Sequence, residues 1–501
     1  MTSGSVTRVV AHRELTTGRI DPHLFGSFVE HMGRTVYTGI YEPGHSQADE
    51  AGLRGDVIDA VRQLGVTCVR YPGGNFVSSH DWRDAVGPVG QRPRRLELAW
   101  RAVETNEFGL AEFMHWAQQA KVEPMLAVNL GTAGIREAVA LLEYCNHPSG
   151  TRESELRRSH GRDDPYDVNL WCLGNEMDGW WQIGHKGADE YGRLAAETAK
   201  AMRCVDPTIR LASCGSSKSD QPTFPDWDLA TLRHTYPYVD YLAVHQYYGG
   251  QHLGLPAFLA QAQDFDRYLS ALTAVCDVVR AEQRSSKTLL LSVDEWGVWD
   301  FQDGTIPDAA TPWQVAPAFS EQVYSMRDAL LFASMLTTMV RHADRVGIAC
   351  QSLLTNISAC IMTAPGGGVW LQPTFYPFAQ LAEFAGARVL RAAPVGPTYD
   401  AGPELAVPLV DCVVVHDEVR RRIGVFAINR DDAEQMLQVS LGGFERCAIT
   451  SHTVMCAPAA ATNREDHDAV RPQPCNTAIM AGELVLTALP ALSWTAIKIN
   501  Y

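Results

Sequence analysis

The stretch Asn169-Leu-Trp-Cys-Leu-Gly-Asn-Glu-Met177 and its later counterpart Leu289-Leu-Leu-Ser-Val-Asp-Glu-Trp-Gly297 decide the fold of this 501-residue chain. In each stretch an apolar run ends at a carboxylate, Glu176 in the first and Glu295 in the second. A short continuous apolar run is typical of a parallel strand that is buried on both faces. We therefore expect both runs to be central strands of a parallel sheet, with the two glutamates at their carboxyl ends.

Further strand-like runs alternate with helical segments over the first three quarters of the chain. The eight predicted strands cover residues 23–30, 67–73, 123–130, 168–176, 209–215, 239–247, 288–295 and 345–354. Apolar residues recur at helical spacing over residues 191–205 and again over residues 327–342. Eight strands that are each followed by a helix predict the α/β class, as a closed (β/α)8 TIM barrel. The alternative, a doubly wound open sheet, has fewer repeats and usually a phosphate-binding loop.

The sequence pattern changes after about residue 385. Short alternating runs separated by turn residues occupy 411–416, 422–428, 436–441, 448–454, 483–489 and 493–499. This pattern predicts an antiparallel, jelly-roll-like β-sandwich. We expect three parts: residues 1–20 as an N-terminal strand segment that packs with the sandwich, 21–384 as the barrel, and 385–501 as the sandwich.

Composition and charge exclude several classes of function. The chain is 46% hydrophobic and 20% charged, which is typical of a globular protein with a sizeable core. Its formal net charge of −16 argues against partners such as nucleic acid or an anionic membrane. The sequence contains neither a Gly-x-Gly-x-x-Gly nor a Walker-type loop, so no nucleotide cofactor is expected.

The ends of the chain and its cysteines predict the compartment. Residues 1–8 lack the charged-then-apolar layout of a secretory signal, and no apolar stretch is long enough to span a bilayer. The twelve cysteines are scattered, without a Cys-x-x-Cys pair, and several lie in apolar strand-like runs. We therefore expect a cytoplasmic protein with reduced, mostly buried thiols.

Two glutamates at the ends of strands four and seven, facing each other across the barrel mouth, predict hydrolysis of a sugar acetal. That reaction needs an acid that protonates the leaving oxygen and a second carboxylate that meets the cationic sugar carbon. Glu176 lies between Asn175 and Met177, a partly apolar setting that favours a raised pKa. For either glutamate alone, a strand-end salt bridge is an equally good interpretation. The pair together favours catalysis at the mouth of the barrel.

A metal centre is the other chemistry that we considered for this end of the barrel. Glu30-His31, His80-Asp81 and His245 are the candidate ligands near strand ends. No His-x-His or His-Glu-x-x-His spacing supports such a site. We predict neither a metal nor a cofactor.

The order of several motifs resembles glycoside hydrolase family 51, the α-L-arabinofuranosidases of clan A. The matching blocks are Phe25-Gly-Ser-Phe-Val-Glu-His31, Gly39-Ile-Tyr-Glu-Pro43, Arg70-Tyr-Pro-Gly-Gly-Asn75, Arg94-Arg-Leu-Glu-Leu-Ala-Trp100, Glu104-Thr-Asn-Glu-Phe-Gly109, Trp171-Cys-Leu-Gly-Asn-Glu176, His245-Gln-Tyr-Tyr248 and Asp294-Glu-Trp-Gly-Val-Trp299. The resemblance covers nearly the whole chain. Each block alone is weak, but their order and spacing are specific.

The resemblance implies roles for the residues at the strand ends. Glu176 would be the general acid/base, Glu295 the nucleophile, and Asn175 the partner of the sugar 2-hydroxyl. Three residues at the ends of strands one and two match sugar-binding positions of the family: Glu30, Arg70 and Asn75. For Arg70, a structural ion pair with Glu30 or Glu295 is compatible with that role.

Aromatic residues complete the site that the resemblance implies. Tyr247 would hydrogen-bond the nucleophile, and Trp100 and Trp299 would be walls on which a sugar ring stacks through its apolar C–H face. A core-edge tyrosine and core tryptophans are the alternatives. His245 lies on the same strand face as Tyr247, where a supporting role is a better interpretation than a catalytic one.

Strand eight departs from the family pattern, which has a sugar-contacting Gln in Ile-Ala-Cys-Leu-Ala-Gln-Leu-Val-Asn. Here the run is Ile348-Ala-Cys-Gln-Ser-Leu-Leu-Thr-Asn356, so that Leu353 replaces the Gln. Gln351 lies two residues earlier, on the same face by strand period. We therefore expect Gln351 to bind substrate and to substitute in part for the missing Gln.

The expected function is that of a retaining, exo-acting α-L-arabinofuranosidase without a cofactor. It would release terminal arabinofuranose from oligosaccharides derived from arabinan or arabinoxylan. The resemblance also implies a homo-oligomer, possibly a hexamer. The alternatives are another furanosidase such as a galactofuranosidase, a β-endoglycanase of the same clan, and a non-catalytic sugar-binding protein.

Overall fold

The computed structural model of the chain describes residues 6–300, 306–308 and 310–501. Within these residues, the strands up to the end of the barrel and its flanking hairpins are β1 Val6–His12, β2 Thr16–Arg19, β3 Gly26–Phe28, β4 Cys68–Tyr71, β5 Arg95–Glu97, β6 Ala102–Glu104, β7 Glu123–Val128, β8 Leu170–Leu173, β9 Arg210–Cys214, β10 Tyr241–Tyr248, β11 Leu290–Val298, β12 Val346–Gln351, β13 Ile361–Thr363 and β14 Val369–Leu371. The later strands are β15 Arg388–Leu390, β16 Thr398–Ala401, β17 Glu404–Pro408, β18 Val410–Asp417, β19 Arg422–Asn429, β20 Gln435–Gly442, β21 Ala448–Cys456, β22 Gln473–Pro474, β23 Ile479–Ala481, β24 Leu484–Leu489 and β25 Ser493–Asn500.

Eight of these strands close into a parallel barrel, which confirms the predicted fold. The hydrogen-bonded order is β3, β4, β7, β8, β9, β10, β11 and β12, and β12 pairs back onto β3. Their order around the barrel is their order along the chain, as in a TIM barrel. Each of the eight contains part of one predicted strand, and the open-sheet alternative is therefore wrong.

A helix follows every barrel strand. The helices in the described residues are α1 Gly55–Leu64, α2 Leu110–Ala120, α3 Ile135–Asn146, α4 Arg152–Ser159, α5 Ala188–Val205, α6 Asp226–Thr235, α7 Leu255–Glu282, α8 Met326–Arg341 and α9 Phe375–Ala382. Most have one apolar face turned to the barrel, whereas α8 is buried on all sides. It is apolar all round because it lies between the barrel and the strand-rich C-terminal region, where it contacts β11, β18 and β25.

Two sheets form the C-terminal region. One has the order β2-β15-β18-β19-β25-β21-β22, and the other has the order β1-β20-β24-β23. Their facing sides share an apolar core that includes Val9, Val414, Val425, Val439 and Val485. The N-terminal strands belong to these sheets, since β1 runs parallel to β20 from the Val6–Met436 pair onward. The domain limits at residues 20/21 and 384/385 stay predictions.

The fourth barrel strand ends earlier than the sequence predicts. The apolar run predicts a strand through residue 176, but β8 stops at Leu173. The next residue, Gly174, has φ +92°, a conformation that glycine adopts without strain, and Glu176 itself has φ +42°. The glutamate is therefore carried by a turn just beyond the strand, which points it into the mouth of the barrel.

A cluster of charged residues at the opposite end of the barrel joins the segment before β3 to the start of β7. His23 lies between Asp21 and Glu123, with each of its ring nitrogens 2.7 Å from a carboxylate oxygen. Burial alone would lower the histidine pKa, but the two carboxylates outweigh it and raise the pKa of His23 to about 9. We call these three residues the bottom cluster.

Two further properties concern the cysteines and the helices of the described residues. All twelve cysteines are free thiols, and most of them are buried. In the described part of the chain, no helix has both the length and the apolar character needed to cross a bilayer.

Candidate active site

A cavity of about 760 Å³ opens at the carboxyl-terminal end of the barrel. Seven of the residues singled out from the sequence line it: Glu30, Asn75, Trp100, Glu176, Tyr247, Glu295 and Trp299. The volume lies in the upper part of the range of about 300–1,000 Å³ for small-molecule sites. Since these residues come from several strand ends, the barrel brings together groups that are far apart in the sequence.

Glu176 is held by one donor on each carboxylate oxygen. The indole Nε1 of Trp181 donates to Oε2 at 2.6 Å, and Nδ1 of His245 lies 2.9 Å from Oε1. Burial and the nearby charge of Glu295 raise the pKa of Glu176, and the contacts with His245 and Trp181 offset only part of that effect. A carboxyl with a raised pKa can keep its proton near neutral pH and donate it to a leaving group.

Glu295 is held by two donors of a different kind. The guanidinium Nη1 of Arg70 donates to Oε1 at 2.8 Å, and the hydroxyl of Tyr247 lies 2.9 Å from Oε2. The same hydroxyl lies 2.6 Å from Ser352 Oγ. A cation and a hydroxyl therefore hold this carboxylate in one orientation. The two glutamates therefore have contrasting environments, as an acid and a nucleophile require.

His245 connects the two glutamates. Its Nδ1 lies 3.6 Å from Glu295 Oε2 as well as 2.9 Å from Glu176, and its Nε2 lies 3.2 Å from Asp294 Oδ1. Despite its burial, the carboxylates around it raise the pKa of His245 well above the ordinary value. Asp294 in turn faces Arg70, and the charges of Arg70 and His245 lower the pKa of Asp294 against the opposing effect of burial.

Glu176, His245 and Glu295 also form the one group in the described residues that could hold a metal ion. One ligand atom from each lies within 4.8 Å of the others. Each of these atoms already faces a donor or acceptor of the protein, and the polar groups are accounted for without an ion. The prediction that the enzyme needs no metal stays a prediction.

Glu30 and Trp100 form a polar corner of the cavity. Glu30 Oε1 accepts hydrogen bonds from the Phe76 backbone at 2.8 Å and from Trp100 Nε1 at 2.9 Å. Burial and the charge of Glu295 raise the pKa of Glu30 to about 8. Gly74 passes so close that an added Cβ would lie 2.3 Å from Glu30 Oε2, which explains the need for glycine there. The chain turns at that residue and presents Asn75 to the cavity.

Arg70 and Asn175 lie beneath the cavity as one hydrogen-bonded unit. Both are almost completely buried, and Arg70 Nη2 donates to Asn175 Oδ1. The Asn175 amide lies 3.3 Å from Asn75 Oδ1. The arginine forms ion pairs with Glu295 and Asp294. The ion pair with Glu295 that the sequence allowed is therefore present, next to the reacting groups.

The structure contradicts the role suggested for Gln351. Its side chain is buried and its amide donates to the Ser358 carbonyl at 2.8 Å, whereas Ser352 and Leu353 line the cavity. The inference used the two-residue period of a strand, but β12 ends at Gln351 and the period does not extend beyond it. Gln351 is therefore a structural residue, and Leu353 gives this wall of the cavity an apolar surface.

Sequence reasoning missed three contacts of the site. Trp181 donates to Glu176, Ser352 meets Tyr247, and Asp294 lies against His245. Asp294 adjoins a predicted catalytic residue, so its charge was a usable signal. Trp181 and Ser352 lie in loops, and the sequence pattern does not predict which way a loop side chain turns.

A closed (β/α)8 barrel with two contrasting carboxylates at its carboxyl-terminal mouth defines a barrel glycoside hydrolase. Comparisons with known proteins give the family. Two family models match the chain: the α-L-arabinofuranosidase 1 domain over residues 60–269 and the α-L-arabinofuranosidase C-terminal domain over residues 294–493. The chain belongs to the α-L-arabinofuranosidases of glycoside hydrolase family 51, as the sequence motifs predicted.

Individual relatives agree with this assignment. The chain is 48% identical to the intracellular exo-α-(1→5)-L-arabinofuranosidase 1 of Bacillus subtilis, over 98% of this chain and 99% of that protein. It is 42% identical to an exo-α-(1→6)-L-arabinofuranosidase of Bifidobacterium longum, over 99% and 97% of the two chains. A solved family 51 α-L-arabinofuranosidase, AbfB from Bifidobacterium longum, superposes with a TM-score of 0.94 at 38% identity and 99% coverage of both chains.

Proposed function

We propose that this enzyme removes terminal arabinofuranose from arabinan- or arabinoxylan-derived oligosaccharides with retention of anomeric configuration. Glu176 is the general acid/base and Glu295 the nucleophile. The observation that carries the proposal is the short separation of the two groups, since an oxygen of each lies within 4.8 Å of the other. Retaining enzymes have carboxyl groups about 5–5.5 Å apart, whereas inverting enzymes need about 6.5–9.5 Å to admit a water molecule.

In the first step Glu295 attacks the anomeric carbon as the bond to the leaving oxygen breaks. The proton on Glu176 passes to that oxygen, and the sugar becomes an ester of Glu295. Arg70 and Tyr247 hold the attacking carboxylate in position through the contacts at 2.8 and 2.9 Å. We assign Asn175, whose Oδ1 accepts a hydrogen bond from Arg70, as the partner of the sugar 2-hydroxyl.

In the second step water attacks the anomeric carbon and the ester bond to Glu295 breaks. Glu176, now ionised, accepts the proton of that water. The negative charge on Glu295 disappears when the ester forms, so one of the causes that raise the pKa of Glu176 is removed at that moment. The same group can therefore act as an acid in one step and as a base in the next.

The walls of the cavity support binding of one terminal sugar. Trp100 and Trp299 offer aromatic surfaces, and Glu30 and Asn75 offer polar groups in the same cavity. Leu353 replaces a polar contact that the family pattern has, and we therefore include galactofuranosides among the test substrates. Exo action follows if these walls close the inner end of the site around a single furanose.

We also propose a cytoplasmic enzyme whose substrates are short imported oligosaccharides. The support is the set of free, mostly buried thiols together with relatives that are named intracellular enzymes. The arabinofuranosyl oligosaccharide is the one partner that we propose on the basis of the site. The homo-oligomer, possibly a hexamer, stays a prediction from the family resemblance.

Proton NMR of the first sugar released from methyl α-L-arabinofuranoside tests the mechanism directly. We expect the α-anomer first, followed by mutarotation, and a first-formed β-anomer would refute the double displacement. A panel of nitrophenyl furanosides and pyranosides tests the substrate, with α-L-arabinofuranoside as the expected best member. Glu295→Ala should abolish turnover, whereas Glu465→Ala, at an exposed glutamate of the C-terminal region, is the matched control.

A further inference from the structure

Trp180 is an exposed tryptophan at the rim of the active-site cavity. Its surface is 79% exposed, yet it lines the same cavity as Glu176 and Glu295. Single exposed apolar residues are common on protein surfaces and usually need no explanation. This one differs because it follows Glu176 by four residues and stands at the entrance to the reacting groups.

The ring of Trp180 lies on the acid side of the cavity. It packs edge-to-face on Trp181, with ring centroids 5.9 Å apart and an angle of 79°. Trp181 donates to Glu176 Oε2, so Trp180 is separated from the acid by a single side chain. The acid must touch the glycosidic oxygen in order to protonate it, and whatever is attached to that oxygen must therefore lie near this ring.

The loop that carries Trp180 is held in place by its own backbone. The Gly179 amide donates to the Glu176 carbonyl at 2.9 Å, and the Lys186 amide donates to the Met177 carbonyl at 3.0 Å. The Gln182 side chain also donates to the buried Ser78 hydroxyl. A fixed loop presents the indole in one place, so little entropy is lost when a ligand stacks on it.

Polar groups that line the same cavity as Trp180 suit the hydroxyls of a second sugar. Lys218 and Asp220 form an exposed ion pair at 3.2 Å and line the same cavity. Their loop adjoins the Trp180 loop, since Ser217 donates to Asp178 from both its amide and its hydroxyl at 3.0 Å. An apolar aromatic face beside charged groups matches a sugar ring, which has an apolar C–H face and a polar rim.

We propose that Trp180 is the platform on which the leaving sugar stacks, and that it sets the preference for oligosaccharides over simple glycosides. The inference rests on the proposed function, because it needs a bound terminal arabinofuranose with its glycosidic oxygen at Glu176. A cavity of about 760 Å³ has room for a sugar on each side of that oxygen.

The test compares Trp180→Ala and Trp180→Phe with wild type on arabinobiose and on methyl α-L-arabinofuranoside, which has no leaving ring. The ratio of kcat/KM for the two substrates should fall about tenfold in Trp180→Ala, and Trp180→Phe should recover most of it. Trp370→Ala is the matched control, because this tryptophan stacks on His467 and is not among the residues that line the cavity. The control ratio should equal that of wild type.

A second measurement follows transfer in place of hydrolysis. With an activated arabinofuranosyl donor, the hydroxyl of added arabinobiose replaces water in the second step, and the acceptor should stack on the same ring. Trp180→Ala should therefore lower the ratio of transfer to hydrolysis, which a general loss of stability would leave unchanged.

The inference would be overturned if Trp180→Ala lost kcat/KM equally on both substrates, so that their ratio stayed unchanged. It would also be overturned if the loss accompanied a change of assembly state in sedimentation. The wild-type rate on the methyl glycoside tests the proposed function separately. If that rate is zero, the proposed function fails and this inference fails with it.

Discussion

Replacing Glu176 by alanine should slow hydrolysis according to how strongly each leaving group needs a proton. An alkoxide such as methoxide is a poor leaving group and depends on the acid, whereas dinitrophenolate departs without help. Burial and the charge of Glu295 raise the pKa of Glu176, which favours the protonated form that an acid catalyst needs. The variant loses that proton donor for both substrates, but only one substrate uses it.

The expected loss follows from the usual contribution of general acid catalysis, which is about 10²–10⁴-fold. We expect roughly a 10³-fold fall in kcat/KM for methyl α-L-arabinofuranoside. For 2,4-dinitrophenyl α-L-arabinofuranoside the fall should be less than about tenfold, because the first step no longer needs the acid.

The assay is a pair of steady-state measurements with and without added azide. The truncated side chain leaves space beside the anomeric carbon, and azide needs no general base. We therefore expect azide to restore turnover of the dinitrophenyl substrate and to give an arabinofuranosyl azide of retained configuration. Glu465→Ala, at a position exposed to solvent, should respond to neither change.

Equal losses on the two substrates would refute the assignment of Glu176 as the acid. An azide product of inverted configuration would refute the covalent intermediate on Glu295.

Three further predictions concern neighbouring contacts and the far end of the barrel. Tyr247→Phe removes one donor from Glu295 and should lower kcat/KM on methyl α-L-arabinofuranoside about 10- to 100-fold, the value of a hydrogen bond to a charged group; a change below twofold would contradict the contact. His245→Gln should slow both the burst and the steady state of a dinitrophenyl arabinofuranoside in stopped-flow experiments, because His245 faces both glutamates; slowing of one phase alone would contradict a shared role. His23→Gln in the bottom cluster should lose about 1–2 kcal/mol of unfolding free energy at pH 6, allowing for partial exposure, by denaturant titration. The pKa of His23 is about 9 in the folded protein and about 6.5 in the unfolded chain, so that stabilisation is complete below pH 6.5 and disappears as the pH rises through 9. A difference in unfolding free energy from wild type that persists at pH 10 would refute this prediction.

The barrel could be predicted because each of its strands leaves a local signal. A strand covered on both faces is mostly apolar, as residues 170–173 are and as residues 289–293 are apart from Ser292. The extent of each strand was harder to predict. Strand β8 ends at Leu173 because the positive φ of Gly174 turns the chain. The sequence shows a glycine at that position but does not show whether its φ is positive.

The site was predictable only where a strand end or a motif fixed the direction of a side chain. His245 and Tyr247 lie two residues apart along β10, and each contacts one of the paired glutamates, as the two-residue period predicts. Beyond a strand end the period fails, which is why Gln351 turned away and Leu353 faced the cavity. The same limit applies to Trp180 and Trp181, because the conformation of their loop determines which of the two indoles contacts Glu176.

The charges around the cavity explain how Glu176 can change from an acid to a base while the cations beside it stay in place. Four carboxyl groups, those of Glu30, Glu176, Asp294 and Glu295, surround two cations, Arg70 and His245. Two protons would balance these charges in a buried setting, and the raised pKa values of Glu30 and Glu176 favour those two carboxyls as their sites. In the proposed double displacement, the negative charge leaves Glu295 when the sugar ester forms and appears on Glu176, so the total is unchanged. His245 lies 3.6 Å from the first and 2.9 Å from the second, and it therefore compensates the charge before and after the step without moving.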